Sequence, residues 1–295
     1  MSLIPPPVDS TVKRIFDSWT TMRPARHSRR LGASQIGKAC DRALWYSFRW
    51  ARLTAFDGRM LRLFEKGHVE EACVLNELKR IGVDVRAVDP ATGEQWEFFE
   101  LSDHLVCKLD GAGVGFVEAP EAWHVIEVKT ANQASFDKIA KDGCRKAKPE
   151  HYAQCMVGMG MSGMLRAAYI VINKNTDEIY LERLRFDKRE YQQLLQRAKE
   201  IVFATEPPDK LNDSPAWWEC KFCDYHHICH DCGGCAERNC RTCKNATALE
   251  SGGWVCKKSG MVIDGKNPCN LHEFMPGMVC SDVQKACEMF GGTVA

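Results

Sequence analysis

In Trp123-His124-Val125-Ile126-Glu127-Val128-Lys129 two charged side chains stand one residue apart in a run that otherwise asks for burial. A strand alternates its side chains with period two, so Glu127 and Lys129 leave one face while Ile126 and Val128 leave the other. Few arrangements tolerate an acid and a lysine projecting together from an apolar strand. Seventeen residues before Glu127, the run Leu105-Val106-Cys107-Lys108-Leu109-Asp110-Gly111 reads as a second strand that ends on an aspartate just before a glycine turn, where Asp110 can swing beside Glu127. Two carboxylates and a lysine at a strand edge suit a hard divalent cation such as magnesium, which binds oxygen and keeps several waters for a phosphate to displace. The lysine would position water or stabilise developing negative charge. Each fragment alone also reads as ordinary structure, Asp-Gly as a turn and Glu-x-Lys as an exposed edge strand.

The surrounding chain is built to hold such a site. Its 295 residues allow one sizeable domain with one or two small appendages, and its 45% hydrophobic and 27% charged content is that of a globular protein. A formal net charge of +1 argues against a protein that coats polyanions with its whole field. The start, Met1-Ser2-Leu3-Ile4-Pro5-Pro6-Pro7, has no apolar signal core, and no later window approaches the about 18 uninterrupted apolar residues of a membrane span. A cytoplasmic location with no membrane partner is expected.

Along the chain, Arg23, Arg26, Arg29 and Arg30 line either a phosphate-binding surface or a solvated basic face. Ser34 reads as the N-cap of a helix carrying Ile36, Cys40, Leu44 and Phe48. From Arg59 to Ile81 the spacing of Leu61, Phe64, His68, Ala72 and Leu75 predicts a helix that turns His68 inward, either as a satisfied core histidine or toward the carboxylates. Strands are expected at 96–101, 105–110 and 123–130, then a helix near 133–141. Another helix opens at Pro149 and brings Gln154, with His151 and Gly158, to a face of its own. Strands at 167–173 and 178–184 and an amphipathic helix ending near Thr205 complete an α/β core. Glu206-Pro207-Pro208-Asp209 through Asp213-Ser214-Pro215 is the clearest linker.

His68 on a helix, Asp110 after a strand, Glu127-x-Lys129 on the next strand and Gln154 on the following helix resemble, in order and spacing, the PD-(D/E)XK nuclease superfamily in its RecB-like exonuclease branch. The likeness covers residues 30 to 205. It implies a restriction-endonuclease-like fold, a central mixed sheet flanked by helices. His68, Asp110, Glu127 and the carbonyl of Val128 would hold Mg2+ or Mn2+, Lys129 would act on the attacking water, and Gln154 would help orient the site. Two departures stand out: Gly158 occupies the place where the branch usually carries a tyrosine, and Leu109 that of the proline in the family name.

Most of the 16 cysteines crowd into the last third of the chain, where C-x2-C spacings in a reducing compartment point to metal before disulfides. Cys220, Cys223 and Cys229 form C-x2-C-x5-C. With Cys40 as the fourth thiolate, this resembles the iron-sulfur nucleases of the AddB and CRISPR-adaptation type and implies a [4Fe-4S] cluster. Such a cluster would act as a staple worth about 4–5 kcal/mol, by analogy with a disulfide of similar span. Zinc held by the three cysteines with His226 or Cys232 is the alternative. Further on, Cys240, Cys243, Cys256 and Cys269 form C-x2-C-x12-C-x12-C, a strong Zn2+ pattern with His272, Cys232 and Cys235 as rival ligands. Residues 236 to 280 are too weakly apolar for a core of their own, so metal should supply much of their folding free energy.

The expected organisation is therefore a nuclease core over 1–207, a cysteine cluster over 208–235 and a zinc-binding segment over 236–295. The implied activity is metal-dependent DNA hydrolysis, as an exonuclease in recombination or phage DNA processing. Linear DNA, its ends or single strands, would be the substrate, and a recombination protein a partner. The rival reading is an inactive nuclease-like DNA-binding or assembly protein that works through its zinc module.

Overall fold

A computed structural model describes residues 10–230 and 235–279. The chain opens with α1 (Thr11–Met22), a short β1 (Leu31–Gly32), α2 (Asp41–Phe48) and the long α3 (Gly58–Arg80). Next come β2 (Asp84–Arg86), β3 (Glu97–Glu100), β4 (Leu105–Lys108), β5 (Gly111–Val114) and β6 (His124–Ala131). Then follow α4 (Gln133–Ala147), α5 (Pro149–Ser162), β7 (Arg166–Asn173), β8 (Ile179–Arg185) and α6 (Lys188–Phe203). The cysteine-rich remainder holds the single-turn helices α7 (Trp218–Lys221) and α8 (His226–Cys229), a 3-10 turn at Cys240–Thr242, and β9 (Ala246–Ala248), β10 (Trp254–Cys256) and β11 (Val262–Ile263).

Five strands make the central mixed sheet, in the order β2-β5-β6-β7-β8. Its middle pair, β6 and β7, is parallel, with Glu127 opposite Tyr169 and Lys129 opposite Val171, and the pairs outside it are antiparallel. A parallel connection needs a crossover, which α4 and α5 supply. Strand β7 is buried from Ala167 to Asn173, as befits a central strand covered on both faces. One face of the sheet carries Ile126, Val128, Ala168, Ile170 and Ile172 against Val74, Leu75 and Leu78 of α3. The other carries Val125, Tyr169 and Val171 against α4, α5 and α6. A smaller sheet, β1-β4-β3, lies beside α5, and β11-β10-β9 forms a third.

Local chemistry explains the element ends. Asn132 caps α4 through Ser135 N–H, Pro149 opens α5, and Gly163 closes it in the left-handed region at φ 76°. Gly58 lets α1 and α3 touch, because a Cβ there would stand 2.0 Å from the Phe16 carbonyl oxygen. Two sequence expectations are corrected. The second helix is capped not by Ser34 but by Cys40, whose Sγ accepts from Ala43 N–H at 3.4 Å, since residues 31–39 pair with β4 and then turn. Gly111 is not a turn: Gly111–Val114 is a strand between β2 and β6, which sequence reasoning missed.

The segment after the linker shares the main core. Ala236, Cys243, Ala246, Ala248, Trp254, Met275 and Met278 are buried in the same cluster as α2 and α6. Among the described residues no helix is long and apolar enough to cross a membrane.

Candidate active site

Asp110 occupies the step between two sheets, with β4 in one and β5 in the other, and its Oδ2 accepts from Val128 N–H at 2.8 Å. Val128, expected to offer its carbonyl, thus meets Asp110 through its amide. Period-two alternation in β6 turns Glu127 and Lys129 toward α5, as the sequence implies, and the two side chains form an ion pair through Glu127 Oε1. Glu127 is fully buried, and among the described residues its second oxygen, Oε2, has no hydrogen-bond partner. A buried carboxylate oxygen left unpaired is costly, a cost that a proton or a bound cation relieves.

A third carboxylate, which the sequence did not single out, joins these two. Glu71, one turn along α3 from His68, feels the charges of Asp110, His68 and Lys129. Burial, and then Asp110, pushes its carboxyl up against the pull of His68 and Lys129. Asp110 is likewise pushed up by burial, opposed by Lys129, the Val128 N–H and His68. Glu127 rises to about 8, through burial first and with Asp110 and Glu71 adding to it against Lys129. For Lys129, burial alone would depress the ammonium, but Glu127 and Asp110 outweigh it and hold it protonated. Three crowded carboxylates, of which Asp110 raises the other two and Glu71 adds to Glu127, have the charge that a divalent cation would offset.

His68 does not point inward. Its side chain is 64% exposed and lies 3.6 Å from Glu71 Oε2. The reason is the path of α3, which packs on the Ile126–Val128 face of the sheet, opposite Glu127, so its site residues reach the pocket from the Asp110 side. Gln154 is buried on α5, yet among the described residues no hydrogen bond joins it to Asp110, Glu127 or Lys129. On the same helix His151 Nδ1 meets the Tyr169 hydroxyl at 2.7 Å, and burial, then Lys129, presses this histidine down to about 3. Gly158 packs against β4 and β6, and a Cβ there would lie 3.1 Å from Leu109 Cδ2, leaving no room for a tyrosine. Of the N-terminal arginines, Arg30 makes a two-pronged bond to Asp103 and Arg23 pairs with Glu65.

Cys40, Cys220, Cys223 and Cys229 all line one cavity of about 690 Å³. Burial and then the neighbouring thiols Cys40 and Cys229 push Cys223 up, against the Tyr225 N–H that its Sγ accepts at 3.5 Å. Cys229 is raised by burial against Arg42, with Cys40 adding to it. Four thiols around one cavity, two of them receiving backbone N–H bonds, have the donor chemistry of an iron-sulfur cluster. Cys232 lies outside the described residues, and His226 Nδ1 is turned to the Cys220 carbonyl at 2.8 Å.

In the last segment Cys240 opens the 3-10 turn, Cys243 follows it, Cys256 ends β10 and Cys269 is exposed in the following loop. The Cys240 thiol feels Cys243, Cys269 and Cys256. Among the described residues, those of the acidic pocket and of both cysteine sets included, no three or more His, Cys, Asp or Glu side chains are grouped so that they could hold a metal ion as they stand.

No protein-family model matches the chain, and no curated protein does. Solved structures with similarity to it include that of SSO0001, at 12% identity over 74% of this chain and 95% of that one, with a TM-score of 0.46. They also include LHK-Exo, an alkaline exonuclease from Laribacter hongkongensis: its complex with dAMP is 14% identical over 63% of this chain and 90% of that one, with a TM-score of 0.43.

Proposed function

We propose that the chain is a divalent-cation-dependent nuclease that hydrolyses phosphodiester bonds of DNA, acting as an exonuclease on linear ends or single strands. The observation that carries this reading is the unpartnered Glu127 Oε2, buried beside Asp110 and Glu71 and on the same strand face as a protonated Lys129. In this reading Asp110, Glu127 and Glu71, oxygen donors of the kind that suits Mg2+ or Mn2+, would hold the ion, with His68 at its open side. Bound there, the ion supplies electrophilic activation of phosphorus and water.

The chain's own groups do the rest. Val128 N–H fixes the Asp110 carboxylate, and the ladder to β7 fixes β6, so the acidic oxygens are set before substrate arrives. Lys129, which Asp110 and a Glu127 kept ionised by the cation would hold charged, donates hydrogen bonds to water or to a phosphate oxygen and steadies negative charge as it forms. Nothing in this set reads a base, so choice of substrate follows strand structure rather than sequence.

The same reading gives the first cysteine set, with Cys40 closing it across the whole core, a [4Fe-4S] cluster as a structural staple, and makes a cytoplasmic DNA-recombination partner the natural setting. The test is degradation of linear DNA labelled at either end, with magnesium, manganese or chelator, comparing the parent with Glu127→Ala. Cation-dependent loss of label that Glu127→Ala abolishes is expected. DNA binding without cleavage in the parent would overturn the reading in favour of an assembly protein.

A further inference from the structure

We propose that Cys240, Cys243, Cys256 and Cys269 bind one zinc ion, and that this ion fixes the turn from which Arg241 is inserted into the nuclease core. The site is thus an internal brace rather than a free ribbon. It stands independently of the nuclease reading.

The geometry begins with Arg241, the residue between the first two cysteines. It is 4% exposed, and its guanidinium carbon sits 3.9 Å from the Trp50 ring centre and 4.7 Å from that of Trp254. Its Nη1 donates to the carbonyls of Arg29 and Phe48, each at 3.0 Å. An arginine reaches such a cage only if its backbone is held at one place and angle. The turn that holds it is short: Asn239 and Thr242 cap each other, and Cys243 N–H bonds the Cys240 carbonyl at 3.1 Å.

Three further backbone ties bring the other cysteines to this turn. Cys256 is in register with Ala246, whose N–H closes a tight turn on the Cys243 carbonyl at 3.0 Å, and Lys257 N–H reaches Asn245 at 2.7 Å. A second tight turn follows, closed by Gly260 N–H on the Cys256 carbonyl at 2.8 Å. The third segment arrives through Cys240, whose N–H bonds Gly265 at 3.1 Å and whose Sγ lies 3.1 Å from the Asn267 carbonyl, two residues before Cys269. These ties set the Cys240–Cys243 turn, the turn after Cys256 and the loop that leads to Cys269 side by side, and four thiols carried on adjoining segments have the donor set of a structural zinc site.

Apolar burial does not explain the convergence. Met261, Val262 and Leu271 are 66%, 75% and 57% exposed and Ile263 is only partly buried against the core, so the returning loop has little apolar fastening of its own. The rival His272 is engaged elsewhere, its Nε2 meeting the Asn239 carbonyl at 3.0 Å and Thr242 Oγ1 at 3.3 Å. Cys235 is bridged to Val279, away from the turn.

Metal analysis of the purified full chain, grown with zinc, tests the assignment, with each of Cys240→Ser, Cys243→Ser, Cys256→Ser and Cys269→Ser beside it and Cys73→Ser, on α3, as control. The parent should carry about one zinc per chain, falling to near zero in all four variants but not in the control. Cobalt exchanged into the parent should give the intense thiolate-to-metal absorption of a tetrahedral site, a readout that needs no variant to fold. Arg241→Met should keep the zinc yet lower the unfolding midpoint of the whole chain. Full zinc in Cys256→Ser or Cys269→Ser, no thiolate absorption with cobalt, or an unchanged midpoint in Arg241→Met would each overturn the proposal.

Discussion

Glu127 is held raised by its surroundings, and this has a measurable consequence. Its ordinary value is 4.5 and its folded one about 8, so between those values the folded chain binds a proton that the unfolded chain gives up. Stability from this group is present below pH 4.5 and is lost as pH rises toward 8. Its full size is on the order of 3–5 kcal/mol. Denaturant unfolding of metal-free protein should therefore show the parent losing ground to Glu127→Gln from pH 5 to 8, and saturating magnesium should flatten the difference. Equal pH slopes would contradict it. Lys129→Ala, by contrast, should abolish cleavage while leaving DNA and cation binding nearly intact, because the lysine donates and does not ligate. Turnover near that of the parent would refute its role. At this scale the sequence was legible where period two governs, in Glu127 and Lys129. It was silent on Glu71, whose helix face reads as plain solvent contact until α3 is laid beside Asp110. Nor did an arginine between two cysteines advertise an aromatic cage.

Among the elements, β6 and β7 were legible because their residues are apolar, β-branched and bounded by turns. Strand β5 was not, since Gly111-Ala112-Gly113 has poor strand propensity and is extended only because β2 and β6 pair with it on both sides. Helix α3 had its limits read closely but its face misread: Leu61 and Leu75 are buried as expected, whereas Phe64, His68 and Ala72 are exposed. Helix α2 begins at Cys40, a cysteine acting as N-cap, which its composition does not announce. That position yields a test of the first cysteine set. Cys40→Ser keeps an N-cap oxygen, so α2 should persist by circular dichroism, yet iron content and visible absorption should vanish as they do in Cys223→Ser. Iron unchanged in Cys40→Ser would point instead to zinc held among Cys220, Cys223 and Cys229.

For the whole molecule, the linker joins two stretches that pack as one body. Arg49 donates from α2 to the Arg241 carbonyl at 3.1 Å and to Ala204 at 2.6 Å, and the Tyr46 hydroxyl reaches Gly277 at 2.7 Å. A chain cut by an inserted protease site at 213–216 should therefore run on a sizing column as one species and separate only in denaturant. Two peaks under native conditions would show the joint to be weak. Sequence composition changes sharply at 206–215 and invites a domain boundary there. What it hides is that Arg49 and Arg241 each find carbonyl partners across that boundary.

Arg49 lies wholly out of water with Trp254 over it, and neither its bond to the Arg241 carbonyl nor that cover exists until the chain through residue 254 has arrived. During synthesis, then, the emerging chain carries an unfinished interior, with Phe48 lacking the cover of Arg241 and Trp254, for as long as the ribosome takes to add residues 241–254. A stalled or shortened product leaves that apolar surface open to solvent, where it invites aggregation or capture by chaperones and proteases.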